Sequence, residues 1–264
     1  EMVRPKNRRQ LEVGHDFLLR TRNELHLQTK RLADDIPKAL QPKIAWQLGY
    51  KDRSPARRVE TFMRDLYIHM RGIHLITRMV ERRLALRPKP ARRLPSLRSI
   101  FGRGKKTETL DGFNIIDGEL VPISHRIFRD QPRRLMRVFL HAQQRGLEFH
   151  PDLTQLLRDN VSLVDDDFVH DTENHETFLE ILNQRGNVAP ALRAMHEVDL
   201  LGRYIPEFGR MTCLVQHEFF HAYAADEHTL VCLERLDQVW DASQPPFAHY
   251  THILQDIDLP YLLY

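Results

Sequence analysis

The sequence predicts an all-α fold: helical bundle domains with one β-hairpin inserted near residues 113–123. Three observations predict it. Glycine is scarce, at 11 of 264 residues, while Leu, Arg and Glu recur throughout, and those residues favour helix. Apolar residues repeat at three- and four-residue spacing over long stretches, the period of an amphipathic helix. A single segment, GFNIIDGELVPI, places short apolar runs on either side of an Asp-Gly pair, which is the signature of a two-residue hairpin turn.

The elements follow in order. Leu11, Phe17, Leu18, Leu25 and Leu32 predict a helix from Asn7 to about Lys30. A shorter helix runs from Pro37 to Leu48 and stops at Gly49, a residue suited to a helix end. Ser54-Pro55 reads as an N-cap followed by proline at the first helical position. The long helix it opens keeps Val59, Phe62, Met63, Leu66, Tyr67, Met70, Ile73, Ile76, Thr77, Val80 and Leu84 on one face, until Pro88 and Pro90 end it. After the hairpin, helices are predicted over Pro132–Arg145, from Pro151 to about Asn160, from Thr172 with closure at Gly186, and from Val188 to Leu201 with closure at Gly202. YIPEFGRM reads as a turn. Asp226 reads as the N-cap of a last helix, Glu227–Val239. There is no internal repeat.

Composition narrows the function. A chain of 264 residues with 42% hydrophobic and 28% charged residues has the balance of a soluble globular protein of one large domain or two smaller ones. No apolar run approaches the roughly 18 residues of a membrane helix, and no signal-peptide pattern opens the chain. Two cysteines, Cys213 and Cys232, make neither a disulfide framework nor a metal cluster, which predicts a reducing cytoplasm. A net charge of +3 is too mild to imply nucleic acid. The stretch from Arg82 to Lys106 is basic, with three prolines and no acidic residue; it reads as a solvated linker rather than a phosphate-binding surface.

One motif invites a metal. His217-Glu218-Phe219-Phe220-His221 is a literal H-E-x-x-H, whose imidazoles would share a helix face with Glu218 as general base. A zinc peptidase needs a third ligand. The form with Gly and His downstream is excluded, because Ala224 and Glu227 occupy those positions. The form with a downstream Glu fails as well: Glu234 lies too close and no Glu follows it. His228 would lie about 16 Å along a continuous helix from His217, too far to share its ion.

The residues carry a more specific signal as a set. LLGRYIPEFGRMTCLVQHEFFHAYAADEHTLVCLERL, residues 200–236, resembles the bifunctional uridylyltransferase/uridylyl-removing enzymes of bacterial nitrogen signalling. DFLLRTRNELHL, LQPKIAWQLGY, VETFMRDLYIHMRGIHLITR and LMRVFLHAQQRGLEFHPDLTQLLR resemble the same family, so the likeness covers nearly the whole chain. Glu218 stands where that family usually has Asp, which makes the H-E-x-x-H a substitution inside another signature.

The resemblance implies an enzyme that transfers UMP from UTP to the PII signal protein and hydrolyses it off again. It implies a helical domain associated with a nucleotidyltransferase at 1–87, a basic linker at 88–108, a hairpin plus helical continuation at 109–206, and the start of an HD-type phosphohydrolase domain at 207–264. His228 matches the first histidine of that domain's metal ligands; the His-Asp doublet would come further along, and the sequence reads DIDLPYLLY to Tyr264 without it. The Gly-Ser segment and paired Asp residues of the transferase are not found in the chain either. The expectation is a central piece, not catalytically complete alone, from an enzyme that uses Mg or another divalent metal. His69, Arg71, His74 and Arg78 on the long helix are the candidate nucleotide-facing residues, against the plainer reading of a solvated polar face. Arg203 and Arg210 are expected to hold helix carbonyls. PII and UTP are the implied partners; no membrane or nucleic acid is expected. The alternatives are a non-catalytic helical binding scaffold, the zinc peptidase, and the related adenylyltransferase of glutamine synthetase, against which DEHTL argues.

Overall fold

The computed structural model describes residues 3–86, 108–215 and 224–264. The H-E-x-x-H pattern, most of the basic linker and the expected end of the long helix at Pro88 and Pro90 lie outside the described residues. Among those described, helices dominate and one small sheet is present. The chain divides into two compact units: residues 1–86 with 210–228, and residues 87–209 with 229–264.

The first unit is built on two long helices. α1 (Pro5–Thr29) packs along α3 (Pro55–Ala85), with α2 (Gln41–Gln47) and a 3-10 turn at Lys38–Leu40 on the connection. Ser54 caps α3 as its sequence predicts, its hydroxyl accepting from Arg57 N at 3.4 Å, with Pro55 at the first helical position. Leu25, Ile44, Ala45, Val59, Phe62, Met63 and Leu66 form the core, joined by Phe17, Tyr50 and Val215.

The faces differ in part from the leucine pattern. Leu32 is 85% exposed, and Met70 and Leu84 are about half exposed. What α1 buries is Asn7, Gly14, Thr21 and Leu25. The reason is closeness: a methyl on Gly14 would stand 3.1 Å from Ile73 Cδ1, so small residues line this crossing.

The second unit carries the sheet. β2 (Phe113–Ile116) and β3 (Glu119–Pro122) are the predicted hairpin, turning at Asp117 (φ 52°) and Gly118 (φ 83°). Two strands extend it: β1 (Glu108–Leu110) pairs antiparallel with β2, and β4 (Glu148–Phe149) pairs parallel with β3. The β1–β2 turn is a second left-handed Asp-Gly pair, Asp111 (φ 49°) and Gly112 (φ 85°). Helices follow as α4 (Ile127–Asp130), α5 (Arg134–Arg145), α6 (Pro151–Asn160), α7 (Asp166–Val169), α8 (Thr172–Leu182) and α9 (Ala189–Glu197). α5 is the central one, buried through Leu135, Met136, Val138 and Phe139 and packed against α8 and α9. Gly146 ends it in the left-handed conformation, as expected.

Four expectations are corrected here. α8 ends at Leu182, before the closure expected at Gly186. The helix expected over Val188–Leu201 breaks where Asp199 turns left-handed (φ 64°); the chain restarts as α10 (Leu200–Tyr204), so Gly202 lies inside a helix and closes none. YIPEFGRM is helical from Pro206 as α11 (Pro206–Met211), with Phe208 buried. α12 (Ala225–Trp240) starts before Asp226, which sits buried in its first turn instead of capping it from outside. α13 (Ala248–Gln255) and a 3-10 turn at Pro260–Leu263 complete the chain.

Candidate functional site

The four candidates on α3 do not form one group. With 100° per residue, Arg71, His74 and Arg78 fall within about 60° of one another, while His69 lies at least about 140° from each. His69 faces α1: its ring stacks on Phe17 at 4.5 Å between centroids, and its Nδ1 would be 3.7 Å from a methyl on Gly14. His74 and Arg78 are exposed and Arg71 is half-buried. α3 thus gathers three of the four on one strip.

That strip extends further than the sequence reading took it. Arg57, Arg64, Arg71 and Arg78 recur every seventh residue, a rise of about 10.5 Å per step with a small angular drift. The heptad spacing is present in the sequence, beside the stronger apolar repeat of the same helix. Arg64 donates from Nη2 to the carbonyl of Arg210 at 3.3 Å. Arg64 thus supplies a guanidinium to the carbonyl of Arg210 at this helix end; Arg203 is exposed.

Around that contact the same unit places Cys213, buried and left-handed at φ 55°. Burial pushes its thiol up to about 11; Asp226 adds to the shift, Arg71 and Arg64 oppose it, and Glu227 adds again. A thiol so shifted is not a nucleophile at neutral pH. Close by, Ala225 N donates to the Leu214 carbonyl at 2.9 Å, tying the start of α12 to the end of the Cys213 turn.

His228 occupies the first turn of α12, exposed, its backbone N donating to Ala224 O at 2.8 Å. Among the described residues no three His, Cys, Asp or Glu side chains gather in a way that could hold a metal ion. The described residues therefore do not fit a complete metal centre, and no chemical step is assigned to one.

In the second unit the sequence reading missed an ion cluster. The Asp111 carboxylate receives Arg137 Nε and Nη2, both at 2.9 Å, Arg134 Nε at 3.1 Å, and His141 Nε2 at 3.3 Å. Burial of the carboxyl raises its pKa, but hydrogen bonds from Arg134, Arg137 and His141 outweigh that and hold it below the ordinary Asp value. The cluster clasps the β1–β2 turn onto α5. Next to it Arg133 binds Asp171 at 2.6 Å, and Asp171 caps α8 by accepting from Asn174 N at 3.0 Å. Both tie local turns and helix ends to neighbouring elements: Asp111 to α5, and Asp171 to Arg133 and the start of α8.

Comparison with known proteins shows a family for two stretches of the chain. Residues 1–81 match the family model described as GlnD PII-uridylyltransferase, and residues 113–204 match Uridylyltransferase GlnD third domain. The bifunctional uridylyltransferase/uridylyl-removing enzyme of Cereibacter sphaeroides is 32% identical over 228 residues, covering 86% of this chain and 24% of that protein. That of Ruegeria pomeroyi is 32% identical over 236 residues, covering 89% and 25%. The chain spans about a quarter of the length of these relatives. No solved structure matches it. No described helix is long and apolar enough to cross a membrane.

Proposed function

The chain belongs, over residues 1–81 and 113–204, to the GlnD uridylyltransferase family, and from that premise we propose that it is the helical centre of an enzyme that moves UMP between UTP and PII. The observation that carries this is the order of the matches: a uridylyltransferase stretch followed by the third domain, both within one chain. In this reading residues 1–87 back a nucleotidyltransferase, 88–108 link, 109–206 continue the helical domain, and 207–264 open an HD-type phosphohydrolase. Arg71 and Arg78 present positive charge to the triphosphate and His74 offers a ring N–H beside them, while His69 steadies the helix through Phe17. His228 is one ligand of a divalent metal whose other ligands lie elsewhere in the longer polypeptide. Neither half-reaction is completed by this chain alone. The protein works in the cytoplasm, where UTP is available.

Two assays test the reading. The 264-residue chain, given UTP, Mg²⁺ and PII, is expected to transfer no label; transfer by the chain alone would show that its catalytic groups are here. In the longer enzyme, Arg78→Gln is expected to raise KM for UTP about tenfold, the loss of one charge-assisted contact, with kcat nearly unchanged. An unchanged KM would return Arg78 to the solvated face.

A further inference from the structure

The first unit holds a cleft whose lining includes none of Arg71, His74 and Arg78. It opens between α1 and the segment joining α2 to α3, has a volume of about 230 Å³, and is lined by Phe17, Arg20, Leu48, Gly49 and Tyr50. Two aromatic rings wall it, both half-buried. Each is fixed from behind: Phe17 by His69 at 4.5 Å, and Tyr50 by Phe62 at 5.5 Å and by its hydroxyl, which donates to Asp65 Oδ2 at 2.7 Å. Burial and that bond keep the Tyr50 phenol well above its ordinary pKa, so the wall stays neutral. Gly49 holds φ +100°, and a methyl there would meet nothing within 4 Å, so this side is open.

Arg20 is the one charged residue among those lining the cleft. It carries a guanidinium whose ion pair with Asp16 is stretched to 4.0 Å, with both side chains more than half exposed. Such a pair contributes little and yields readily to a better carboxylate. The cleft is smaller than the roughly 300–1,000 Å³ of sites for larger ligands, which limits it to about one ring. Rigid aromatic walls favour a flat ring, and a guanidinium favours a planar carboxylate, which it can grip with two parallel bonds.

We propose that this cleft binds a small aromatic carboxylate, its ring between Phe17 and Tyr50 and its carboxylate on Arg20. The site stands independently of the uridylyltransferase reading. Benzoate is the probe, titrated into the full chain while amide resonances are followed by NMR, with benzamide as the uncharged control. Expected are saturable shifts at Gly49 and Tyr50 with benzoate, and about tenfold weaker binding for benzamide and for benzoate with Arg20→Gln, one tenfold step being the loss of a charge-assisted contact. Absence of saturable shifts, or equal affinity for benzoate and benzamide, overturns the proposal. So does unchanged benzoate affinity in Arg20→Gln, an exposed substitution. The benzamide comparison on the wild-type chain decides the matter even if the variant folds poorly.

Discussion

Asp111 shows how much one residue can fix. It supplies a left-handed turn conformation that Asp and Asn tolerate better than most residues, and a carboxylate on which two guanidiniums and an imidazole converge. Asp111→Asn keeps the turn and removes the charge, leaving Arg134 and Arg137 facing each other over a neutral amide. The side chains are 17–26% exposed, so the expected loss is about 2 kcal/mol, between a surface pair and a fully buried one. The pH dependence follows from the direction of the shift. The folded pKa lies below the unfolded one, so the contribution is complete above the unfolded Asp pKa and disappears as pH falls through the folded value. Urea denaturation at neutral pH and again in the acid range is expected to show the wild-type advantage over Asp111→Asn shrinking on acidification. A constant difference would mean the carboxylate's charge is not what stabilises the turn. The turn itself was legible as a second Asp-Gly pair. Only three strand residues precede it, where the basic stretch gives way, too few for an alternating pattern to show.

At the scale of elements, two glycines make opposite predictions. Gly209 in α11 lies against α10: a methyl there would stand 2.3 Å from the carbonyl oxygen of Gly202 and 3.2 Å from its Cα. Backbone cannot rotate away, so Gly209→Ala must push the two short helices apart, at about 3 kcal/mol or more. Gly72 in α3 would place its methyl 2.6 Å from Gln10 Nε2, the far end of a flexible side chain. Gln10 can change rotamer at a cost on the order of 1 kcal/mol, and alanine in a helix interior regains about that much. Gly72→Ala is therefore expected to leave the thermal midpoint nearly unchanged while Gly209→Ala lowers it sharply. Similar midpoints for both would mean α10 and α11 can separate freely. Periodicity revealed long elements such as α1 and α3, whose dozens of residues average out exceptions. It failed on α10 and α11, five and six residues long, where a single left-handed Asp199 decides the boundary and no repeat is long enough to show.

At the scale of the whole molecule, what local patterns could not reveal is which distant residues meet. His69, Arg71, His74 and Arg78 share the long helix as candidate nucleotide-facing residues, and the helix parts them because 100° per residue turns His69 to the other side. Asp237 makes the converse case, joining segments far apart in sequence within the second unit. Its carboxylate accepts from Val188 N at 3.1 Å and Ala189 N at 2.8 Å, capping α9 from α12, and from the Tyr264 hydroxyl at 2.6 Å. That hydroxyl in turn accepts from Trp240 Nε1 at 2.8 Å. Nothing in the sequence around Asp237 marks it, since its partners lie 48 and 49 residues before it and 27 after it. Asp237→Ala removes a helix cap and strands the phenol, for an expected loss of about 2–3 kcal/mol. Tyr264→Phe removes the phenol alone and is expected to cost about 1 kcal/mol. Because the two changes break the same hydrogen bond, the double variant is expected to fall short of their sum by about 0.5–1 kcal/mol. The four proteins of this cycle, unfolded in urea and followed by circular dichroism, measure that shortfall. Strict additivity would mean that Tyr264 and the α9 cap stabilise the fold separately, with Asp237 serving each in turn.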